Sequence, residues 1–253
     1  MRKPERKAVP RPGEATSRTR LVQTLKEQIT RLERARRRGD EDAPIPSGCE
    51  ALDRLLTEGG FRRGTLVEWL AAGEGTGRET LALCTAREAC REGGAMVVLD
   101  EAGEFYPPAA VRLGIELDQV IVVRTRNQAD HTWALDQSLR CPAVAVVLAS
   151  PEKLDGHTFR RLQLAAEQGG GLGVLMRPLG AWHEPSWAEV RLLIGPLPSA
   201  APQAPRRLKI EVLRSPGRSS GKSVEVEINN ETHPLHPAPR LARRADPRRA
   251  ARA

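Results

Sequence analysis

The sequence predicts an α/β fold: a mostly parallel sheet covered by helices, ending in a C-terminal β-hairpin. Three observations predict it. Runs such as 95–99, 120–123 and 143–148 are apolar at almost every position, as strands buried on both faces must be. Segments of helical length separate these runs, and strands alternating with helices build a parallel sheet clad on both sides. The style then changes near residue 203. Segments 208–213 and 223–228 alternate apolar and polar residues around a Gly-containing turn, which reads as a hairpin with one solvated face.

Taken in order, residues 1–16 are charged and carry three prolines, so they are expected to be disordered. Residues 17–45 read as an amphipathic helix and a linker. Ser17 is a candidate N-cap. Leu21, Val22, Leu25, Ile29 and Leu32 recur mostly at three- and four-residue steps, one narrow apolar stripe on a charged helix. Such a stripe must lie either on its own domain or on another protein. The core is expected over 46–232. It opens with a short helix at Leu52, Leu55 and Leu56, then a turn bracketed by Gly59, Gly60 and Gly64. A strand at 65–70 runs into the glycine-rich segment 73–77 and a helix over 78–92, stopped by Gly93 and Gly94. Next come a strand at 95–100 and a helix opened by Pro107 and Pro108. A strand at 120–123, a helix over 127–140, a strand at 143–148 and a helix over 154–168 follow. Gly169 to Gly171 stop that helix, and strands at 173–176 and 190–194 lead to the hairpin. Residues 233–253, rich in Pro, Arg and Ala, read as a disordered basic tail.

Composition narrows the function. The chain has 253 residues, 40% of them hydrophobic and only 3% aromatic. The core is adequate, but a base-stacking surface of many rings is excluded. The formal charge of +8 is unevenly placed. Residues 1–45 hold 13 Lys/Arg against 7 Asp/Glu, residues 203–253 hold 12 against 5, and the middle, 46–202, holds 15 against 20. The basic ends suit nucleic acid or an acidic protein, or are simply solvated. Arg240, Arg243 and Arg244 are their C-terminal candidates for partner contact. Four cysteines form no metal-ligand spacing and read as reduced thiols of a cytoplasmic protein. No apolar run reaches membrane-spanning length. His131, His157, His233 and His236 have no acidic or nucleophilic companion at useful spacing.

The segment at 72–80 carries the functional question. A strand, a glycine-rich turn and a helix is where phosphates bind, because backbone N–H groups and a helix N-terminus converge there. Gly73, Gly75, Gly77, Arg78, Glu79 and Thr80 are the candidate phosphate-site residues. Against the Walker pattern only Gly77 fits. Ala72 stands for the first glycine, Arg78 for the lysine, and Glu79 for the hydroxyl residue that holds Mg²⁺. Arg cannot occupy the compact site of Lys, and Glu79 repels phosphates. Arg78 and Glu79 either still grip a nucleotide or pair over the old site, and the ion pair is preferred.

The wider run is more specific. Ser47-Gly48, Leu52-Asp53, Gly59-Gly60, Gly64 and Val67-Glu68 ahead of the loop resemble RecA, and the resemblance covers about residues 45–230. It implies a RecA-like P-loop-type core. Within that group Phe105 to Ala110, Trp133 to Pro142, Phe159 to Glu167 and Asn230 to His233 resemble the ImuA family, itself similar to the cell-division inhibitor SulA. Carrying RecA's working residues across shows what is missing. Ala102 stands where that family has its catalytic glutamate, Ala149 beside Ser150 where it has a second acid, and Ala109 where it has the adenine-stacking tyrosine. Phosphoryl transfer is almost all positioning and charge stabilisation, so these losses together imply no catalytic residue, no metal and no ATP cofactor.

The resemblance implies a non-catalytic accessory protein of DNA-damage-induced, error-prone translesion synthesis. Its expected partners are an ImuB-like inactive Y-family polymerase and an ImuC-like error-prone C-family polymerase. RecA, DNA and self-association are further candidates. Partner contact is placed on Leu21, Leu25, Ile29, Leu32 and the C-terminal arginines. Arg177, Trp182 and His183, in or beside a shortened second DNA-binding loop, are the nucleic-acid candidates, although such residues more often cap a sheet edge. The rivals are a DNA-dependent ATPase with unusual ligands and a SulA-like division inhibitor.

Overall fold

The computed structural model describes residues 43–71, 75–199, 204–217 and 220–228, together with the backbone of 235–237. The stripe Leu21, Leu25, Ile29 and Leu32, as well as Gly73, Arg240, Arg243 and Arg244, lies outside the described residues.

The elements follow the pattern of the sequence closely. After a short α1 (Glu50–Asp53) come β1 (Leu66–Ala71), α2 (Arg78–Cys90), β2 (Ala95–Leu99), α3 (Pro107–Arg112) and β3 (Val120–Val123). Then α4 (Gln128–Arg140), β4 (Val144–Ala149), α5 (Gly156–Gly169), β5 (Leu172–Pro178), β6 (Val190–Leu197), β7 (Arg206–Arg214), β8 (Lys222–Ile228) and β9 (Leu235–Pro237) complete the chain. The prolines of α3 occupy its first two positions, where no N–H is needed. Asn127 caps α4 by accepting the Asp130 N–H at 2.9 Å, and Asp155 caps α5 by accepting that of Thr158 at 2.9 Å.

All nine strands form one sheet in the order β3-β2-β4-β5-β1-β6-β7-β8-β9. The first six are parallel and the last three antiparallel. β1 sits between β5 and β6, yet leads through α2 to β2 on the far side of β4. The order therefore reverses beside β1, and such a reversal opens a crevice at the carboxyl ends of the strands. Residues 75–77 and the loops 100–106, 150–155 and 179–189 all lie at that edge.

The sheet has a packed layer on each face. Alternation along β1 sends Leu66 to one core and Val67 and Trp69 to the other. Trp69, Met96, Val98, Leu148 and Val174 pack with Leu52 of α1 and Leu81, Ala82, Cys84, Ala86 and Ala89 of α2. Leu66, Leu99, Val147 and Leu175 pack with Leu135 and Leu139 of α4 and Phe159, Leu162 and Ala166 of α5. No helix among the described residues is long and apolar enough to cross a membrane.

One sequence expectation is corrected. Residues 235–237 were placed in the tail beyond 233, but they form β9, with Leu235 opposite Ile228 and Pro237 opposite Val226. A three-residue edge strand is too short to show alternation, and its partner is supplied by β8 rather than by any local signal.

Candidate functional site

Between β1 and α2 the described residues Gly75, Thr76 and Gly77 lead into the helix. Gly75 and Gly77 take φ of 68° and 75°, the left-handed region that favours glycine. Gly77 caps α2 through its carbonyl, which accepts the Leu81 N–H at 3.1 Å. A Cβ at Gly77 would stand 2.9 Å from both Leu208 Cδ1 and Ile228 Cδ1, so the hairpin packs directly on the end of the loop. Thr76 is buried and its Oγ1 has no hydrogen-bond partner. Thr80 is half-buried on the first turn of α2.

The Arg78 guanidinium is engaged by protein. It donates from Nη2 to Glu79 Oε1 at 2.8 Å, from Nε to the same oxygen at 3.2 Å, and from Nη1 to the Arg177 carbonyl at 3.1 Å. The pair expected between Arg78 and Glu79 is present. Its guanidinium also ties the start of α2 to the end of β5.

Ala102 and Ala149 lie at or just beyond the ends of two other strands. Ala102 is exposed after β2 and Ala149 is buried at the end of β4. Asp100 is buried and accepts the N–H groups of Glu104 at 2.8 Å and Phe105 at 3.3 Å, with Arg124 at 3.3 Å on its other oxygen. It folds its own loop. Glu101 faces His131, with Oε1 3.6 Å from Nδ1. His131 therefore does have an acidic companion, which sequence spacing did not reveal because the loop after β2 brings it across. The imidazole is 1% exposed and neither ring nitrogen has a hydrogen-bond partner. Burial pushes its pKa below the usual histidine value, and Glu101 partly opposes that.

The nucleic-acid set is divided by the fold. Arg177 is fully buried, not a surface cation, and this corrects the sequence reading. Its Nη1 donates to Glu68 Oε1 at 2.9 Å, Nη2 pairs with Glu184, and Nε and Nη2 reach the carbonyls of Pro151 and Glu152 at 3.3 and 3.2 Å. Glu68, also fully buried, forms an ion pair with Arg191 of β6 through its second oxygen. Register explains the cluster. Glu68 lies opposite Leu175 on β5 and Arg191 on β6, so Arg177, two residues on from Leu175, shares its face. A carboxylate in an apolar strand had to find cations, and Val67-Glu68 was the signal available in the sequence. Arg191, Glu184 and the backbone carbonyls come from too far along the chain to be guessed.

Trp182 and His183 are exposed on a 3-10 turn over Leu179–His183, held over the network by Arg191, which donates to the carbonyls of Ala181 at 3.0 Å and Trp182 at 3.3 Å. With Arg191, Glu211, Leu213 and Arg214, Trp182 lines a hollow of about 390 Å³. The turn thus caps the sheet edge. Elsewhere on the surface, Trp187 stacks under the Arg160 guanidinium at 4.9 Å. No cluster of His, Cys, Asp and Glu among the described residues could hold a metal ion.

Comparison with known proteins agrees with this geometry. The family model for the RecA N-terminal domain matches residues 23–151. Protein ImuA of Caulobacter vibrioides is 32% identical over 170 residues, covering 62% of this chain and 69% of that protein. Protein RecA of Chlorobaculum parvum is 31% identical over 132 residues, half of this chain but 38% of that one. The crystal structure of the RadB recombinase superposes with a TM-score of 0.61 at 17% identity, over 77% of this chain and all of that one. At that identity the likeness shows a shared fold.

Proposed function

The chain belongs to the ImuA family, on a RecA N-terminal domain, and from that premise we propose that it is a non-catalytic accessory protein of DNA-damage-induced, error-prone translesion synthesis. Arg78 carries this reading. Its guanidinium is spent on Glu79 and the Arg177 carbonyl, so no flexible cation stands at the helix N-terminus to meet a phosphate. Phosphoryl transfer needs that cation, a Mg²⁺ ligand and a group that orients water. Arg78 stands in the cation's place, Glu79 and Ala149 in those of the Mg²⁺ ligands, and Ala102 in that of the water-orienting group. The protein works by binding in the cytoplasm, and its partners are an ImuB-like inactive Y-family polymerase and an ImuC-like C-family polymerase, with RecA and DNA as further contacts.

Two measurements test this. Cells lacking the chain should lose damage-induced mutation while keeping survival largely intact, and Arg78→Ala should restore mutation as well as the unaltered protein does. Purified protein with Mg²⁺ should not bind a fluorescent ATP analogue, with or without single-stranded DNA. Clear binding together with DNA-stimulated turnover would return the ATPase reading to the front. Unchanged mutation in the deletion strain would remove the translesion role itself.

A further inference from the structure

Two like charges face each other across β6 and β7. Arg191 and Arg214 are directly opposite in the antiparallel register, beside the bulge where that register shifts, and like charges so placed oppose pairing. Arg191 is tied down. Its guanidinium donates to the carbonyls of Ala181 and Trp182 and pairs with Glu68. Arg214 is not matched in the same way. Its two Nη atoms donate to the Ser186 carbonyl at 3.1 and 3.2 Å, and among the described residues no carboxylate pairs with it. Partial burial, reinforced by the charge of Arg191, pushes its pKa below the ordinary arginine value.

The neighbouring acids do not close the balance. Three guanidinium groups, Arg177, Arg191 and Arg214, share two carboxylates, Glu68 and Glu184, which leaves one positive charge over. Glu211, also on β7, is held by Lys209 at 3.0 Å. Arg191 and Arg214 both line the hollow of about 390 Å³ described above, and Trp182 and Leu213 give it apolar walls. Trp182 is 38% exposed there, so an aromatic face and an unmatched arginine open on the same space.

We propose that this hollow is a docking site for an acidic segment of a partner protein: Arg214, beside Arg191, receives one side-chain carboxylate, and a neighbouring apolar or aromatic side chain lies on Trp182 and Leu213. A guanidinium fork matches a carboxylate with two parallel N–H bonds, and the incoming negative charge relieves the repulsion across the strands. The volume falls at the lower end of the about 300–1,000 Å³ usual for ligand sites, which suits one or two side chains. A nucleic-acid strand suits it less. Its further phosphates would run over residues 46–202, where 20 acids stand against 15 bases, and Glu211 forms part of the wall. Such docking requires no particular role in translesion synthesis.

Heteronuclear NMR of the full chain tests this through the Trp182 indole N–H, one of four tryptophan signals and identified by its loss in Trp182→Phe. Titration with the blocked dipeptide acetyl-Phe-Glu-amide should shift that signal saturably. Acetyl-Phe-Gln-amide should bind at least about tenfold more weakly, since it lacks the charge-assisted bond. Arg214→Gln should remove the preference for glutamate while keeping or raising the thermal midpoint, because like charges no longer face each other. Arg214→Lys keeps the charge and loses the fork; it should weaken glutamate binding, and it keeps the test valid should Arg214→Gln fail to fold. No saturable shift of the Trp182 signal overturns the proposal. So does equal binding of the two dipeptides, or a glutamate preference that survives unchanged in the arginine variants. Oligothymidylate that displaces the dipeptide from Trp182 and loses affinity in Arg214→Gln assigns the hollow to nucleic acid, and this too overturns it.

Discussion

At the scale of single residues, the buried charges decide most. Glu68 stands between Arg177 and Arg191 with its side chain fully buried. Removing its charge leaves two guanidinium groups at the centre of the molecule facing an amide. Breaking a buried pair from one side typically costs about 3–5 kcal/mol, so Glu68→Gln should lower the unfolding free energy by about that amount, read as a lower urea midpoint at an unchanged slope. A loss below about 1 kcal/mol would mean that water or a rotated Glu184 neutralises the arginines, and the network would then be peripheral to stability. His131 gives a pH signature. Its imidazole is held neutral by burial, so its pKa in the fold lies below the ordinary 6.5. Above that value it contributes nothing to the pH dependence. As pH falls through it, the unfolded chain takes a proton that the folded chain declines, and stability drops. Wild type should therefore lose more stability than His131→Leu between about pH 7 and pH 5 in parallel urea titrations. Equal losses would show that Glu101 swings in to stabilise the charged ring.

At the scale of elements, what could be read in the sequence follows from where the information lies. β2 and β4 were legible because burial on both faces leaves an unbroken apolar run, and β3 because its four residues are all apolar and β-branched, although Ile121 and Val122 are exposed. The ends of α2 and α5 were legible because Gly93 and Gly170 mark them in the chain itself. β9 was not legible, since its pairing is supplied by β8, and Arg177 was misread because a cation in a sequence carries no sign of the carboxylate 109 residues away that buries it. The loop after β1 was read correctly at Arg78 and Glu79, which are adjacent. Its tie to the Arg177 carbonyl was not. Glycines carried one further kind of information that only packing reveals. Gly169 ends α5 where it crosses the last turn of α4, and a Cβ there would lie 2.0 Å from the Leu139 carbonyl oxygen. Since that atom is backbone, one helix must move. Gly169→Ala should thus cost about 3 kcal/mol, the upper range for overpacking, although alanine is the better helix former. A thermal midpoint equal to wild type would show that α4 and α5 slide freely, against the two-layer packing of Phe159, Leu162 and Leu139.

At the scale of the whole molecule, charge and fold are separated along the chain. Residues 46–202, which carry most of the sheet, hold 20 acidic against 15 basic side chains, while both ends are strongly basic. A polyanion is therefore repelled on average by the folded middle and attracted by the ends. Burial of Arg177 and the capping role of the 179–183 turn sharpen the division, because they remove a cation from the region where strand-end loops could meet DNA. Any affinity for single-stranded DNA should accordingly reside in the ends and depend steeply on salt. Each phosphate contact contributes about 0.7 to the slope of log affinity against log salt for single strands. Truncation after residue 237 removes Arg240, Arg243, Arg244, Arg248, Arg249 and Arg252. With all six engaged, the slope should fall by about 4, and affinity at low salt should fall with it. Fluorescence anisotropy of a labelled oligonucleotide across a salt series measures both. An unchanged slope after truncation would place the phosphate contacts on residues 1–45 or on the folded core. Trp182→Ala would then separate the two, since an aromatic platform contributes to affinity with little change in the salt slope.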